Sequence, residues 1–413
     1  MKRKITAVLL LLSIILALIC CAIVFNKAKE KKFTFWTIQL KPIYEKEINE
    51  VIQEFNNKHP EYKVVWVDIP IQEAQKRILA SILSSTPPDL VNLNPDFSLI
   101  LAQKNTLEFF SEKDTEQFLK PFVNHLKYDG KIYALPFYAT SPVTIYNKKI
   151  YDTCNKNGFI KTYDELFETS PKLKACSKIT PFVLGLNEND TLAKILNKYD
   201  IENFENEKDI QETIRIYSQF DKMYRNQELP KDILTINHRE VIEKFMSNEI
   251  LITISGSNFI KMIKQNAPTI YPNLAIAPQL TGKNGKYDIA LMNLVIPSKS
   301  KNKEIAKEFA LMLTNNENQM KLAQLTNVLP TNKYTLQNDY FKNCSSDLIE
   351  QARCISVKQL NNLSDKSFGN KNKKEINRLI NETLEEILLH KNSSPDFIKG
   401  RINNLSLQFS IIK

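Results

Sequence analysis

Apolar and polar positions along this chain alternate between two rhythms, and each change of rhythm marks an element. Residues 33–38 and 62–69 are short runs rich in aromatic and β-branched side chains, the composition of strands. Between them Ile48, Val51, Ile52 and Phe55 recur at helical spacing, which predicts a helix over 45–57 that Pro60 closes. A second helix over 72–83 places Ile78, Leu79, Ile82 and Leu83 on one side, and Pro87-Pro88 then leads into a third strand at 89–93. Strand, helix, strand, helix, strand with short links predicts a parallel sheet covered by helices.

The stretch 128–148 changes character. Asp129-Gly130 makes a turn, 132–135 reads as a short strand stopping at Pro136, and 143–146 reads as another after Pro142. The prolines hold Leu135 and Ser141 extended, so two strands with a kinked link, Phe137 to Thr140, are expected. Further on, Thr162 and Glu165 stand at capping-box spacing. Val241, Ile242 and Phe245 make a helical face before a strand at 250–254, and Ser255-Gly256-Ser257-Asn258 turns into another helix. Strands at 274–278 and 289–296 precede an amphipathic helix over 303–314. The polar, helical segment 177–230 carries no recognisable chemistry. A chain of 413 residues exceeds one ordinary core, so two domains are expected.

The net charge of +10 is concentrated at the start: residues 1–32 carry seven of the Lys and Arg and one acid, leaving 49 bases against 45 acids. No basic block remains, which argues against a nucleic-acid partner. Residues 5–25 hold no charge and follow Lys2-Arg3-Lys4; at ~1.5 Å per residue they span a ~30 Å hydrocarbon core. A cleaved signal, a retained membrane anchor and lipidation at Cys20 or Cys21 are all open, and each implies export. There is no phosphate-cradling glycine loop, no G-x-S-x-G turn, and His59, His125, His238 and His390 are scattered. Neither cofactor, metal nor enzyme activity is therefore expected. Disulfides persist outside the cytoplasm. Cys154 and Cys176 bracket a helix near 162–174 and are the expected pair. Cys344 and Cys354, at the two ends of a continuous helix, would stand ~15 Å apart, beyond the ~7 Å reach of a bridge.

The segment YDGKIYALPFYATSPVTIYNK (128–148) resembles the DGKxYxLPF…YNK segment of family 1 extracellular solute-binding proteins, the sugar receptors of ABC importers. FWT (35–37), TPPDLVNLN (86–94), KTYDEL (161–166), VLPTNK (328–333) and SSPD (393–396) are similar to family positions in the same order. FMSNEILITISGSNF (245–259) resembles FxxGKAAMxxxGSW, with Asn248 for Gly and Phe259 for Trp. The resemblance implies an α/β, two-lobed, periplasmic-binding-protein-like fold of type II. Each lobe would be a mainly parallel sheet covered by helices, with the ligand cleft between. Lobe 1 would comprise 33–138 and 291–330, lobe 2 would comprise 139–290 and 331–413, and 1–32 would be signal or anchor.

The implied function is the extracytoplasmic substrate-binding component of an ABC importer. It would close on a sugar or oligosaccharide and deliver it to the permease's transmembrane subunits, as a monomer. Trp36, Phe137 and Tyr138 would offer faces to sugar rings, and Gln39, Asn94, Asp96, Ser257, Asn258 and Asn293 would meet hydroxyls. Each type has a plainer alternative: Trp36 as packed core, and Asp96, Ser257 or Asn258 as helix caps. The family's glycine-rich turn near the ligand is not matched; Gly282 and Gly285 come earlier, before Ala290-Leu291-Met292-Asn293. Two other functions stay open: an exported glycoside-processing enzyme, needing only two carboxylates at the right separation, and a membrane-tethered interaction protein that has lost ligand binding.

Overall fold

The computed structural model describes residues 31–186, 190–201, 203–364, 372–391 and 393–412, without the side chains of Asn258 and Ile412. The apolar segment 5–25, with Cys20 and Cys21, lies outside the described residues. Among these residues no helix is long and apolar enough to cross a membrane.

In chain order the strands are β1 (Lys31–Ile38), β2 (Tyr62–Ile69), β3 (Leu90–Leu93), β4 (Lys127–Tyr128), β5 (Lys131–Ile132), β6 (Leu135–Thr140), β7 (Val143–Asn147), β8 (Thr180–Val183), β9 (Ile250–Ser255), β10 (Leu274–Ala277), β11 (Ala290–Val295) and β12 (Leu329–Pro330). They build two separate sheets. The first runs β12-β6-β11-β3-β1-β2, and the second β10-β7-β9-β8, with β4 and β5 a small hairpin apart. In the first sheet β1 pairs in parallel with β2 and β3, while β11 lies antiparallel between β3 and β6.

Each sheet has its own core. Helices Lys41–Lys58, Lys303–Leu313 and Asn316–Thr326 cover one face of the first sheet, where Phe33, Phe35 and Phe55 each set an edge or tilted ring against Phe309. Helices Ile71–Leu83 and Pro95–Gln103 cover the other face. The second sheet is enclosed by its own helices, including Glu207–Arg225, Lys373–Leu389 and Pro395–Ile412, which share one apolar cluster. Two cores joined by short crossings make a two-lobed α/β protein.

Local signals explain much of this. Asn147, Thr162, Asn206, Asn237 and Asn315 each cap a helix by accepting from a backbone N–H of its first turn. At Thr162 the box is shifted: Glu165 N–H donates to the threonine, but the Glu165 carboxylate accepts from Lys161 N–H. Asn248 adopts the left-handed conformation expected at a helix end, with φ +60°.

Neither sheet is mainly parallel as expected: three of five pairings in the first and two of three in the second are antiparallel, because β6, β7, β10, β11 and β12 carry the chain to and fro between the lobes. Two local expectations are also corrected. The stretch 137–140 is not a link but the body of β6, which runs through Pro136 to Thr140. Proline lacks an N–H to donate, and it is accommodated because its partner strand bulges there, between Met292 and Asn293. The crossing between lobes is thus only Ser141-Pro142. The second correction concerns the cysteines. Cys154–Cys176 is a disulfide as expected, with Cα atoms 5.6 Å apart, but Cys344–Cys354 is bridged as well, at 6.3 Å. Its helix starts only at Leu348, so residues 344–347 fold back over the first turns.

Three crossings connect the lobes, and a buried polar set ties them together. Gln279, at the start of the second crossing, donates from Nε2 to Ser141 Oγ and to Asp288 O, and its Oε1 accepts from Asp288 N. Helix Leu348–Gln359, reached by the third crossing, donates from Ser356 Oγ to Ser141 O and from Gln359 Nε2 to Ser141 Oγ and Pro142 O. Gly282 sits against the backbone of Lys198, where a Cβ would come within 2.4 Å of its carbonyl oxygen. Only glycine fits that approach, and it pins the second crossing to the second lobe.

Candidate functional site

The C-terminal ends of β1 and β3 point at the second lobe, the place where open α/β sheets hold ligands. Beside them lies a cavity of about 440 Å³ with walls from both lobes. The first lobe supplies Asn94, Asp96, Leu99, His125, Lys127 and Tyr133; the second supplies Asp190, Lys194, Asn197, Lys373 and Asn377; the crossing strand supplies Asp288 to Met292.

Each wall group is placed by its element. Asn94 ends β3 and caps the next helix, accepting from Phe97 N at 2.9 Å. Asp96 follows in the first turn, where the helix dipole favours an anion. Its Oδ1 meets Lys373 Nζ at 2.7 Å, an ion pair that spans the cleft from one lobe to the other. Lys194, one turn into helix Thr191–Asn197, pairs with Asp190 at 2.8 Å. Burial works to lower the Lys194 pKa, but the charges of Asp190, Asp288 and Asp96 outweigh it and hold the ammonium above its usual range. The buried Lys198 meets Asp288 of the wall at 2.8 Å and donates to Lys286 O. Burial, with the Asp96 charge added, drives the Tyr133 phenol well above its ordinary pKa. The charges of the wall are therefore paired: each of three carboxylates is answered by a lysine, and Lys127 by Glu112 at 2.9 Å, with amides between them.

Of the residues expected at the site, Asn94 and Asp96 line this cavity. Asp96 does not cap the helix; Asn94 does. Gln39 is exposed at the end of β1 in a left-handed conformation (φ +51°), its N–H donating to Ile69 O. Trp36 is half-buried against helix Ile71–Leu83, and the Arg77 guanidinium stands 5.6 Å from its ring. Phe137 and Tyr138 are in the first lobe's core, with Tyr138 stacked on Tyr44 at 5.5 Å, and not on the cavity wall. Asn293 is fully buried; its Oδ1 accepts from Ser98 Oγ at 2.8 Å, which steadies the helix that carries Asp96. Ser257 donates to Asn327 O across to the first lobe, at 3.3 Å, away from the cavity. The side chain of Asn258 lies outside the described residues.

The sequence reading did not find Lys194, Asn197, Lys373 or Asn377. Helical spacing puts each pair on one face, i, i+3 and i, i+4, but only packing of the second lobe turns those faces to Asp96. Among the described residues no three His, Cys, Asp or Glu are grouped to hold a metal ion.

A two-lobed fold with a polar, charge-balanced cleft between the lobes defines a binding protein. The sequence profile of bacterial extracellular solute-binding proteins matches residues 41–320, more than half of the chain, and the chain belongs to that family. It is 24% identical over 214 residues to the arabinooligosaccharide-binding protein of Bacillus subtilis, 49% of this chain and 48% of that one. A solved periplasmic-binding protein of Synechococcus sp. MITs9220, named for oligosaccharides, superposes with a TM-score of 0.79 at 23% identity, over 92% of this chain and 99% of that one. The sugar-binding protein MalE of Xanthomonas citri does so with a TM-score of 0.76 at 18% identity, over 92% and 97%. These likenesses establish the type II periplasmic-binding fold.

Proposed function

We propose that this chain is the extracytoplasmic receptor of an ABC importer and that it traps a sugar or oligosaccharide between its lobes. The observation that carries this reading is the cavity walled by both lobes and bridged by the Asp96–Lys373 pair. Relatives named for arabinooligosaccharide and for sugar support the ligand class.

In this reading the first lobe carries the six-stranded sheet, with 33–140 and 290–330, and the second carries the four-stranded sheet and the helices from Leu348 onward, boundaries a few residues from those expected at 138/139 and 330/331. Closure is a hinge motion about Ser141-Pro142 and the start of β11. Asn94, Asp96, Lys194 and Asn197 supply donors and acceptors to ligand hydroxyls in a site from which closure excludes water. Residues 5–25, or a lipidated Cys20 or Cys21, hold the monomer at the outer face of the membrane beside its permease.

The test is a thermal-shift panel on the detergent-solubilised full chain. A ligand that binds only the folded state adds about 2.7 kcal/mol at a hundredfold excess over Kd. A rise in melting temperature with a neutral oligosaccharide supports the reading. No rise with any carbohydrate, at millimolar concentration, contradicts it.

A further inference from the structure

The third crossing is fastened at both ends and free only in its middle. On the first lobe Lys333 N donates to Gln117 O at 2.9 Å, and the buried Thr335 donates from Oγ1 to Asn316 Oδ1 at 2.8 Å. From the far side, two adjacent residues of helix Leu348–Gln359 reach back to it. Arg353 is buried; its guanidinium stands 3.7 Å from the Tyr340 ring, and its Nε donates to Tyr340 O at 3.0 Å. Cys354, also buried, is bridged to Cys344. The same helix adds Ala352 to the second lobe's core and grips the other two crossings through Ser356 and Gln359. Between the fastenings lie Gln337, Asn338 and Asp339, all exposed. Asn338 is extended, with φ −63° and ψ 145°, and separates two short helical turns, Thr335–Gln337 and Asp339–Phe341.

We infer that Arg353 and the Cys344–Cys354 bridge act as one clamp, which confines bending of the third crossing to residues 337–339 and so limits how far the lobes open. The inference rests on the reading of the cleft as a solute site that closes. Hinges work through a few residues at the ends of elements that absorb the change in backbone angle, and extended Asn338 between two turns is such a position. Without the clamp the free stretch would run from 337 to 346, where Asp347 caps the helix and meets Lys264 at 3.2 Å. Chain entropy opposes bringing the ends of a longer free segment to one closed geometry, so the clamp favours closure.

The experiment is pulsed EPR on the detergent-solubilised full chain without ligand, with non-cysteine spin labels at the exposed Ile100 and Leu389, one on each lobe. Wild type is compared with a variant carrying Arg353→Leu, Cys344→Ala and Cys354→Ala, and with Cys344→Ala plus Cys354→Ala alone. Cys154→Ala with Cys176→Ala is the control, since that bridge lies within the second lobe. The expected result is a distribution that extends to longer distances in the triple variant. The open-to-closed ratio should rise roughly fivefold, the loop-closure factor for ten free residues against three. The double variant should shift the same way by less, and the control should match wild type although it too loses a bridge. A distribution unchanged in both clamp variants overturns the inference, as does an equal shift in the control. Calorimetric titration of wild type with arabinotriose and maltotriose runs in parallel. Wild type blind to both probes while the triple variant opens wider counts against the solute-binding reading and leaves the clamp standing.

Discussion

Gln359 Nε2 donates to Ser141 Oγ at 2.7 Å, joining residues 218 apart at the point where the chain passes between lobes. The same amide donates to Pro142 O at 2.9 Å, and its Oε1 accepts from Gln279 N at 2.7 Å. One side chain therefore fixes the first crossing, the second and the helix that follows the third.

Replacing Gln359 by Leu removes all three bonds and strands the buried Gln279 N–H and Pro142 carbonyl. The expected cost is ~2–6 kcal/mol, at ~1–3 kcal/mol for each unpaired group. Ser141→Ala keeps the backbone bonds and should cost only ~1 kcal/mol. Denaturant melts of both variants check the ranking. Equal stabilities would show that the set does not hold the crossings.

The two disulfides should both be found in protein made in an oxidising compartment. Cys154 and Cys176 are 22 residues apart and Cys344 and Cys354 are 10 apart, so the chain-entropy model gives ~3 kcal/mol for the first and somewhat less for the second. Cys154→Ala with Cys176→Ala should lose about that amount in a denaturant melt. Non-reducing peptide mapping that recovers all four as alkylatable thiols would contradict the assignment.

Tyr44 gives a pH dependence with a definite sign. Burial pushes its phenol from 10.0 up to about 12, against the hydrogen bonds from Thr326 and Tyr138. Below pH 10 the phenol is neutral in folded and unfolded chains alike, and its contribution is fully present. Above pH 10 the unfolded chain ionises first, so stability falls by up to about 3 kcal/mol as pH rises to about 12. Melts of Tyr44→Phe should therefore fall less steeply than wild type across that window. Identical slopes would contradict the burial of this phenol.

The legible part of the fold was local. Strands β1 to β3, the helices between them and the caps at Thr162 and Asn248 follow from periodicity and turn chemistry within a few residues. Pro136 was read as a stop because the bulge that accommodates it belongs to β11, more than 150 residues away. The Cys344–Cys354 bridge was disfavoured by taking the helix as continuous between the two cysteines, whereas it begins only at Leu348. Phe137 and Tyr138 looked like faces for a ligand because aromatic residues between two prolines suggest a loop; pairing on both sides of β6 puts them in the core. Asp96 was legible beside a strand end. Lys373, its partner 277 residues later, was not, since only the topology of the second lobe brings it across.

The central claim is closure of two lobes on a solute, and the most direct measurement is a distance between them. Ile100 on the first lobe and Leu389 on the second are both exposed, so non-cysteine spin labels at these sites leave the disulfides and the cleft untouched. Pulsed EPR on the full chain is recorded without ligand and at saturation with the carbohydrate that raises its melting temperature. The account predicts a broad distribution that shortens and narrows on saturation. A distribution unchanged by a ligand bound at saturation would contradict it.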